Sequence, residues 1–463
     1  MENLEKYLDE SKLDKYHFKA MFVSGMGFFT DAYDLFIIGI ALSILAPLWK
    51  LTPSQVGIIG STSLVSAFLG SFIFGRIADK FGRKKVYGVE AIIMTIGALL
   101  SAVSPNFAWM VFSRFLLGVG IGGDYPVSAV IMSEYSNKKD RGKLVGLVFS
   151  MQALGLIVGP LVALLLISVS LPSDLSWRIM LALGAIPSMM VIYLRRKIPE
   201  SPRYTAQVLG DVDKAVKAVE DFRGIRIEDK PVATIPNKRA SLKDFLTNRT
   251  YMLTLLGTAG SWFLLDYAYY GNTISTSFIM NSISPHMTLI SKIWSSFLIF
   301  TIFALPGYIF SILFMDKLGR KTIQLLGFLI MGLTFLIIGL FPQVKENFML
   351  FLMLYGISYF FTEFGPNTTT FVIPSELFPT EYRTTGHGFS AGIAKVGAFL
   401  GVLLFPIINQ SLGIRGTFIL VSFFAFAGVI TTLILPESKG KSLEEISKTL
   451  DGKKKVENFS TTI

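Results

Sequence analysis

The chain has no cysteine among its 463 residues. Disulfides, thiolate nucleophiles and sulfur-ligated metals are excluded at once. Histidine is nearly as scarce. His17, His286 and His387 stand too far apart to suggest a metal site, and no cofactor is expected. Charge is thin as well: Asp, Glu, Lys and Arg make up 16% of the residues, against 52% for the hydrophobic set, far from the composition of soluble domains. So few polar side chains cannot give a large helical core a water-compatible surface, which excludes an ordinary soluble helical protein. Met1 to Lys19 is charged and polar and lacks the apolar stretch of a cleavable signal peptide. No nucleotide-cradling loop and no paired nucleophile and base occur, so an enzyme is not expected.

What the chain does have is apolar runs. About twelve windows of roughly 20 or more mostly apolar residues can be marked, each long enough to cross ~30 Å of hydrocarbon. The reading is an all-α membrane protein with twelve transmembrane spans. Residues 1–16 read as a short solvated amphipathic segment. The spans run from about His17 to Trp49, Val56 to Gly75, Val86 to Val103, and a fourth after Ser104-Pro105. Then follow about Leu144 to Ser168, Trp177 to Leu194, Tyr251 to Ile279, Leu289 to Met315 and Thr322 to Phe341. The last three are about Phe348 to Ile373, Thr385 to Ile408 and Thr417 to Leu435. Residues 17–194 and 250–435 form two halves, 195–249 a linker with a helix-forming patch around Asp211 to Phe222, and 436–463 a charged, mobile tail. The net charge of +11 does not point to nucleic acid. Lys and Arg crowd the loops after spans 2, 4, 6, 8 and 10, which is how topology is set, so both termini and the linker are expected in the cytoplasm.

Some polar groups stand where lipid should be. Gly122-Gly123-Asp124-Tyr125-Pro126 lies inside the apolar run Phe107 to Ser133. A carboxylate near a bilayer midplane costs at least ~2.5–3.5 kcal/mol and persists where it faces a bundle interior or a wet cavity. Asp31 and Asp34 interrupt the first span, Asp266 the seventh, and Asn367 and Lys395 the tenth and eleventh. These groups are expected to share one central cavity that moves a small polar solute with a proton. Trp262, Asp266 and Tyr270 follow an i, i+4, i+8 spacing and so share a face. Packing is the plainer explanation for any single aromatic. For Gln152 and Asn367 it is interhelical hydrogen bonding, worth ~0.6–2 kcal/mol. For Asp34 the alternative is a fixed bond to Tyr33 or a neighbouring helix. Glu90 fits the membrane interface better than a route to the cytoplasm. Glu363 shares a face with Asn367 and is a weaker candidate. Arg114 lies toward the outer end of span 4, which leaves Lys395 as the strongly basic side chain near the expected site.

The halves repeat. Asp79-x-x-Gly82-Arg83-Lys84 recurs as Asp316-x-x-Gly319-Arg320-Lys321, and Pro199-Glu200-Ser201 as Pro436-Glu437-Ser438, both at an offset of 237. Ser133-Glu134 with Arg141 recurs as Ser375-Glu376 with Arg383 at an offset of 242. Three landmarks in order indicate two six-helix halves in parallel orientation with a site between them near mid-membrane.

The loop Gly75 to Lys85, the pairs Glu134/Arg141 and Glu376/Arg383, and Pro199-Glu200-Ser201-Pro202-Arg203 resemble the major facilitator superfamily on its sugar-porter side. A narrower set is similar to the phosphate:proton symporter family: Phe28 to Phe36, Gly122 to Pro126, Trp262 to Gly271, Phe364 to Phe371 and Lys395 to Ala398. Sugar transporters of this fold usually carry paired glutamines in span 7, and Trp262 to Asp266 stand there instead.

The resemblance implies two six-helix bundles related by a pseudo-two-fold axis. It implies import of inorganic phosphate by proton symport through alternating access, in the plasma membrane, by a monomer whose partners are phosphate, protons and the lipid bilayer. It implies a phosphate site of Tyr125, Gln152, Trp262, Asp266, Tyr270 and Asn367 with Lys395 nearby. Proton coupling falls first on Asp31 and Asp124, then on Asp34, with Glu90 as an extension. Asp79, Arg83, Glu134, Arg141, Asp316, Arg320, Glu376 and Arg383 are implied gating charges at cytoplasmic helix ends. The chemistry is coherent: Tyr, Trp, Gln, Asn and Lys are donors for phosphate oxygens, and a P–OH can donate to Asp266. Two rivals remain: the same machine carrying an organic anion or a sugar, and a phosphate-sensing transceptor.

Overall fold

The computed structural model describes residues 2–169, 171–223, 226 and 241–449. Regular structure among them is entirely helical. Span 1 is Lys15–Trp49. Asp14 caps it by accepting from the Tyr16 and His17 amides, and the His17 ring accepts from the Asp14 amide in return, which fixes the start of the helix. Thr52 and Gln55 form the same reciprocal cap for span 2, Pro53–Phe81. Span 3 is Arg83–Ala102. Span 4, Phe107–Tyr135, opens on Asn106. Span 5 (Arg141–Ser168) steps at Met151, and span 6 (Ser173–Lys197) steps at Gly184. Span 7 is Arg249–Ile274 and continues, after a break at Ser275, as Thr276–Ile283.

Spans 8, 9 and 10 are Leu289–Leu318, Arg320–Leu340 and Phe348–Leu377. Spans 8 and 10 each contain a π turn, Phe300–Ala304 and Glu363–Asn367. Spans 11 and 12, Arg383–Phe405 and Ile407–Ile434, run into one another and kink at Gly413, where φ is 67°. Among the described residues 11 helices are long and apolar enough to cross a membrane. Span 7 is the twelfth, and it falls short in apolar character rather than length. Its 26 residues reach ~39 Å at 1.5 Å per residue, but Asp266, Tyr269, Tyr270, Asn272 and Thr273 dilute its hydropathy.

Small residues let the spans touch backbone to backbone. A Cβ on Gly122 would lie 1.9 Å from the Ala67 carbonyl oxygen, and one on Gly118 would lie 2.2 Å from that of Ser63, so spans 2 and 4 meet along these glycines. Gly397 and Gly401 do the same for spans 11 and 7, at 2.4 Å and 2.3 Å from the carbonyl oxygens of Phe263 and Tyr267. The internal repeat is therefore geometric as well as sequential. Gly82 and Gly319 both have φ 101°, a region that favours glycine. Each turns the chain so that a glutamate offset by the same spacing caps the next helix. Glu200 accepts from the Arg83 amide at 3.0 Å, and Glu437 from the Arg320 amide at 3.1 Å.

Three expectations change. Residues 1–16 are not simply solvated. Helix Glu2–Asp9 buries Leu8 against Ala206, Val212, Val216 and Val219 of the linker, and Asp9 pairs with Arg203 at 2.6 Å. The linker is a folded layer, with helices Pro202–Gln207, Val212–Arg223 and Leu242–Thr247; residues 227–240 lie outside the described residues. The start of the tail is docked, with Leu443 and Ile446 buried and Glu444 paired with Arg203 at 2.9 Å. The mobility expected of residues 450–463 concerns a stretch outside the described residues. In each case an apolar face too short to read as a span finds a partner on the same end of the bundle.

Candidate functional site

The first cluster lies between the halves, half-way along the spans. Tyr125 of span 4 donates to Asp31 Oδ2 of span 1 at 2.5 Å, and Gln152 Nε2 of span 5 donates to the same oxygen at 3.0 Å. Tyr308 of span 8 donates to Gln152 Oε1 at 3.3 Å, and Asn367 Nδ2 of span 10 donates to Tyr308 at 2.9 Å. A chain of hydrogen bonds thus crosses from one half to the other. Lys395 of span 11 donates to Asp266 Oδ2 at 3.1 Å and to the Tyr270 hydroxyl at 2.9 Å. Its ammonium also lies 4.6 Å from the Tyr125 ring centre, a cation–π contact that ties span 11 to span 4. Trp262 packs on Tyr125 with ring centres 5.8 Å apart and reaches Asp266. All seven residues of the expected binding set, Tyr125, Gln152, Trp262, Asp266, Tyr270, Asn367 and Lys395, are buried in this one cluster.

Aromatic rings close it at both ends. One turn nearer the basic loops Phe149 stacks on Phe371 at 4.6 Å, and Phe28 meets Phe371 edge-on at 4.9 Å. On the other side Phe36 stacks on Tyr270 at 5.8 Å.

The acids expected on the proton path separate. Asp31 belongs to the cluster itself, bound by two members of the binding set. Asp124 lies beside it, one turn away, within coulombic range of Asp31, and is held by Arg195 at 2.6 Å and by Ser128 at 2.6 Å. Arg195 also takes Glu90 Oε1 at 2.9 Å. Glu90 is therefore buried inside the N-terminal half, against the expectation of an interfacial place. Arg195 is the residue that the sequence reading missed. It sits in Leu194-Arg195-Arg196-Lys197, which has the look of a topology-setting basic end, yet its side chain turns back into the bundle over the Tyr87 ring. Lys395 is thus not the lone strong base near the site. Tyr308 was also missed, because one Tyr after Pro306-Gly307 gives no signal of its own.

Asp34 points elsewhere. Tyr33 donates to the Met180 carbonyl rather than to Asp34, and both Asp34 carboxylate oxygens lack a hydrogen bond. They rest against Gly184 at the step in span 6. Arg114 is buried alongside, donating to the Asp34 backbone carbonyl at 3.0 Å and to Ser63. It is a core residue and not one at an outer end.

The expected gating charges form an array at the basic end, but the motif partners are exchanged. Glu134 does not pair with Arg141; it takes Arg83 and Arg383, each at 3.1 Å. Glu376 does not pair with Arg383; it takes Arg141 and Arg320, each at 2.9 Å. Asp79 braces Arg83 at 3.1 Å and accepts the Thr385 amide of the other half at 2.6 Å. Asp316 braces Arg320 at 2.8 Å and accepts the Lys143 amide at 2.8 Å. Each glutamate therefore holds one arginine of its own half and one of the other.

A family model described as sugar (and other) transporter matches residues 9–450. The chain belongs to this transporter family. Inorganic phosphate transporter 1-4 of Arabidopsis thaliana is 36% identical over 521 residues, covering 98% of this chain and 97% of the relative. Inorganic phosphate transporter 1-11 of Oryza sativa subsp. japonica is 39% identical over 495 residues, covering 95% and 89%. A solved structure of a proton:xylose symporter of the major facilitator superfamily has TM-score 0.79 and 17% identity, with 94% of this chain and 99% of that chain covered. The transporter has the major facilitator fold, with twelve spans in two six-helix bundles.

Proposed function

We propose that this transporter is a proton-coupled importer of inorganic phosphate, working by alternating access. The observation that carries the reading is the charge of the central cluster. Asp31 and Asp266 share one cation, Lys395, at a junction of both halves. An anion entering such a place meets more carboxylate than ammonium. It is accepted when a proton enters with it, because neutralising one carboxyl removes the repulsion and leaves Lys395 for the anion. Asp31 is the group assigned to that proton, since it lies against the binding residues. Asp124, fixed by Arg195 and followed by Glu90, is assigned the exit route. The names of the relatives, inorganic phosphate transporters at 36% and 39% identity over nearly the whole chain, support phosphate as the anion.

Tyr125, Gln152 and Asn367 already donate within the cluster. Phosphate therefore exchanges partners rather than filling empty bonds, and Trp262, Tyr270 and Lys395 complete the donor set. Asp266 accepts from a P–OH, a contact that sulfate, which carries no proton near neutrality, does not offer. The array of Glu134, Glu376 and their four arginines is assigned the inner gate, closed here and opened by rocking of the bundles. The basic end is assigned to the cytoplasm, with the N-terminal segment, the linker after Lys197 and residues 436–463 on that side of the plasma membrane. The expected bundles 17–194 and 250–435 are extended to Lys197 and Arg249, since Arg195 belongs to the N-terminal bundle. No catalytic reaction is assigned, and the unit is taken to be a monomer.

The test is labelled phosphate uptake into liposomes holding the purified protein, with an imposed pH gradient and arsenate, sulfate or glucose as competitors. Arsenate, which shares the tetrahedral shape and the acidic proton, is expected to compete, while sulfate and glucose leave uptake unchanged. Competition by glucose and none by arsenate overturns the proposal.

A further inference from the structure

Glu363 takes no part in the proposal above, yet it touches the site. It opens the π turn of span 10, Glu363–Asn367, and is fully buried. Asn367 Nδ2 donates to Glu363 Oε2 at 2.5 Å with the amide that also reaches Tyr308. Glu363 is therefore one side chain removed from the hydrogen-bond chain that crosses the two halves. Its surroundings differ from those of the other buried acids. Asp31 and Asp266 have Lys395, Asp124 and Glu90 have Arg195, and Asp34 has Arg114 nearby.

Glu363 is faced by Tyr308 from span 8, by Tyr269 from span 7 and by Tyr359 from its own helix. Span 9 meets the turn with Gly327. Among the described residues no Lys, Arg or His is near it, and its Oε1 has no hydrogen bond. A carboxylate there has hydrogen-bond donors around it but no counter-charge.

A track of buried polar side chains runs from it toward the end opposite the basic loops. Tyr355, Tyr359, Glu363 and Asn367 recur every fourth residue of span 10 and so share one face. Thr276, just past the break in span 7, lies 3.4 Å from the Tyr355 hydroxyl. Tyr355 and Tyr359 hydroxyls are 3.4 Å apart, and Tyr359 donates to Thr273 at 2.8 Å. Beside them is a small, mostly apolar cavity that Met331 and Phe335 line together with Asn272, Ser358, Tyr359 and Thr362. Asn272, which lines it, has a side-chain amide with no hydrogen-bond partner. The cavity lies next to Glu363 in sequence and on the same hydroxyl path in space.

We propose that Glu363 is a proton-carrying residue of the transport cycle, loaded from the outer face through Tyr355, Tyr359 and Tyr269. The step is a proton transfer alone. A proton from outer water passes along the hydroxyls to the Glu363 carboxylate, and leaves to inner water once the basic end opens. Phosphate and this proton help one another: an anion that draws the Asn367 amide away removes a donor from the carboxylate, which favours the protonated acid. The inference rests on the proton:phosphate reading. It adds that each phosphate travels with a second proton beside the one assigned to Asp31.

The experiment is equilibrium phosphate accumulation in liposomes, with the membrane voltage clamped to zero and the pH gradient varied. Each coupled proton multiplies the accumulation of the monoanion by about tenfold per pH unit. The wild type is expected to gain about two decades per unit and Glu363→Gln, which keeps the bond to Asn367, about one. Tyr359→Phe is expected to slow uptake several-fold and keep the wild-type slope. A wild-type slope of one decade overturns the proposal whether or not any variant folds, as does a Glu363→Gln slope equal to the wild type. Failure of the parent reading looks different: the wild type then accumulates no phosphate at any gradient.

Discussion

At the scale of single residues, Lys395 governs what mutagenesis will show. Asp266 is its carboxylate partner in a fully buried pair. Removing one partner of a buried pair costs up to about 3–5 kcal/mol, and less here because Asp31 still faces Lys395. Asp266→Asn is therefore expected to lower the melting temperature as well as abolish phosphate binding. Adding Lys395→Met, which also strips the cation from Asp31, is expected to lower the melting temperature further and not to restore binding. If the single variant melts like the wild type, the pair does not hold the closed state. The sequence made most of these residues legible, because a charge in an apolar run is conspicuous and the spacing of Trp262, Asp266 and Tyr270 names a face. It did not reveal partners. Arg195 was hidden by its basic neighbours, and the exchange of arginines between Glu134 and Glu376 follows from how two halves meet, which spacing within one half cannot report.

Outside the membrane, burial pushes the Glu444 carboxyl up, but Arg203 overrides it and leaves the group at about 2. A carboxyl depressed in this way contributes stability that is fully present above the ordinary Glu range and lost as pH falls toward 2. Asp9, on the other face of Arg203, is shifted upward by burial, so its share of the docking strengthens slightly as pH falls. Tail docking is expected to be flat between about pH 8 and about pH 5. Because the chain has no cysteine, Leu443→Cys is a reporter without background. Its labelling should stay slow across that range and become fast at neutral pH once Glu444→Gln is added. Fast labelling of Leu443→Cys alone would contradict a docked tail.

At the scale of the element, spans were legible wherever length and apolar character coincided, and their interruptions were not. The π turn Glu363–Asn367 contains Pro366, which has no amide to donate, yet a proline alone does not say whether a helix kinks, ends or adds a residue. Nor did the amphipathic helix Glu2–Asp9 announce its partner, since its apolar face is completed by linker residues far along the chain. The close crossings give a sharp expectation. Gly122→Ala places a methyl 1.9 Å from the Ala67 carbonyl oxygen, where neither backbone can yield without moving a span. Overpacking typically costs ~1–3 kcal/mol, and loss of folded protein in a detergent stability assay is expected. Gly57→Ala, with nothing within 4 Å, should be silent in the same assay. Equal stability of the two would mean that spans 2 and 4 stand further apart than described.

At the scale of the whole molecule, the cross-half pairs at the basic end and the aromatic layers around the site join the two halves, as the proposed gate requires of its closed state. Ser133 donates to the Ser375 carbonyl of the other half at 2.9 Å, inside the gate. Ser375→Cys is expected to resist a soluble maleimide. Adding Glu134→Gln and Glu376→Gln should raise its labelling on the order of tenfold, which corresponds to about 1.4 kcal/mol of gate stability. Unchanged labelling would remove these glutamates from the gate.

The account as a whole stands on the cluster of Asp31, Asp266 and Lys395 admitting an anion together with a proton. The most direct measurement is of protons driven by phosphate alone. Liposomes holding the protein are placed in weakly buffered medium with no pH gradient, and phosphate is added outside at the same pH. The external medium should turn alkaline by more than withdrawal of the monoanion from the phosphate equilibrium accounts for, as further protons follow phosphate inward, and should stay unchanged on addition of sulfate or glucose. Phosphate entry without proton movement, or an alkaline shift with glucose, would contradict the account.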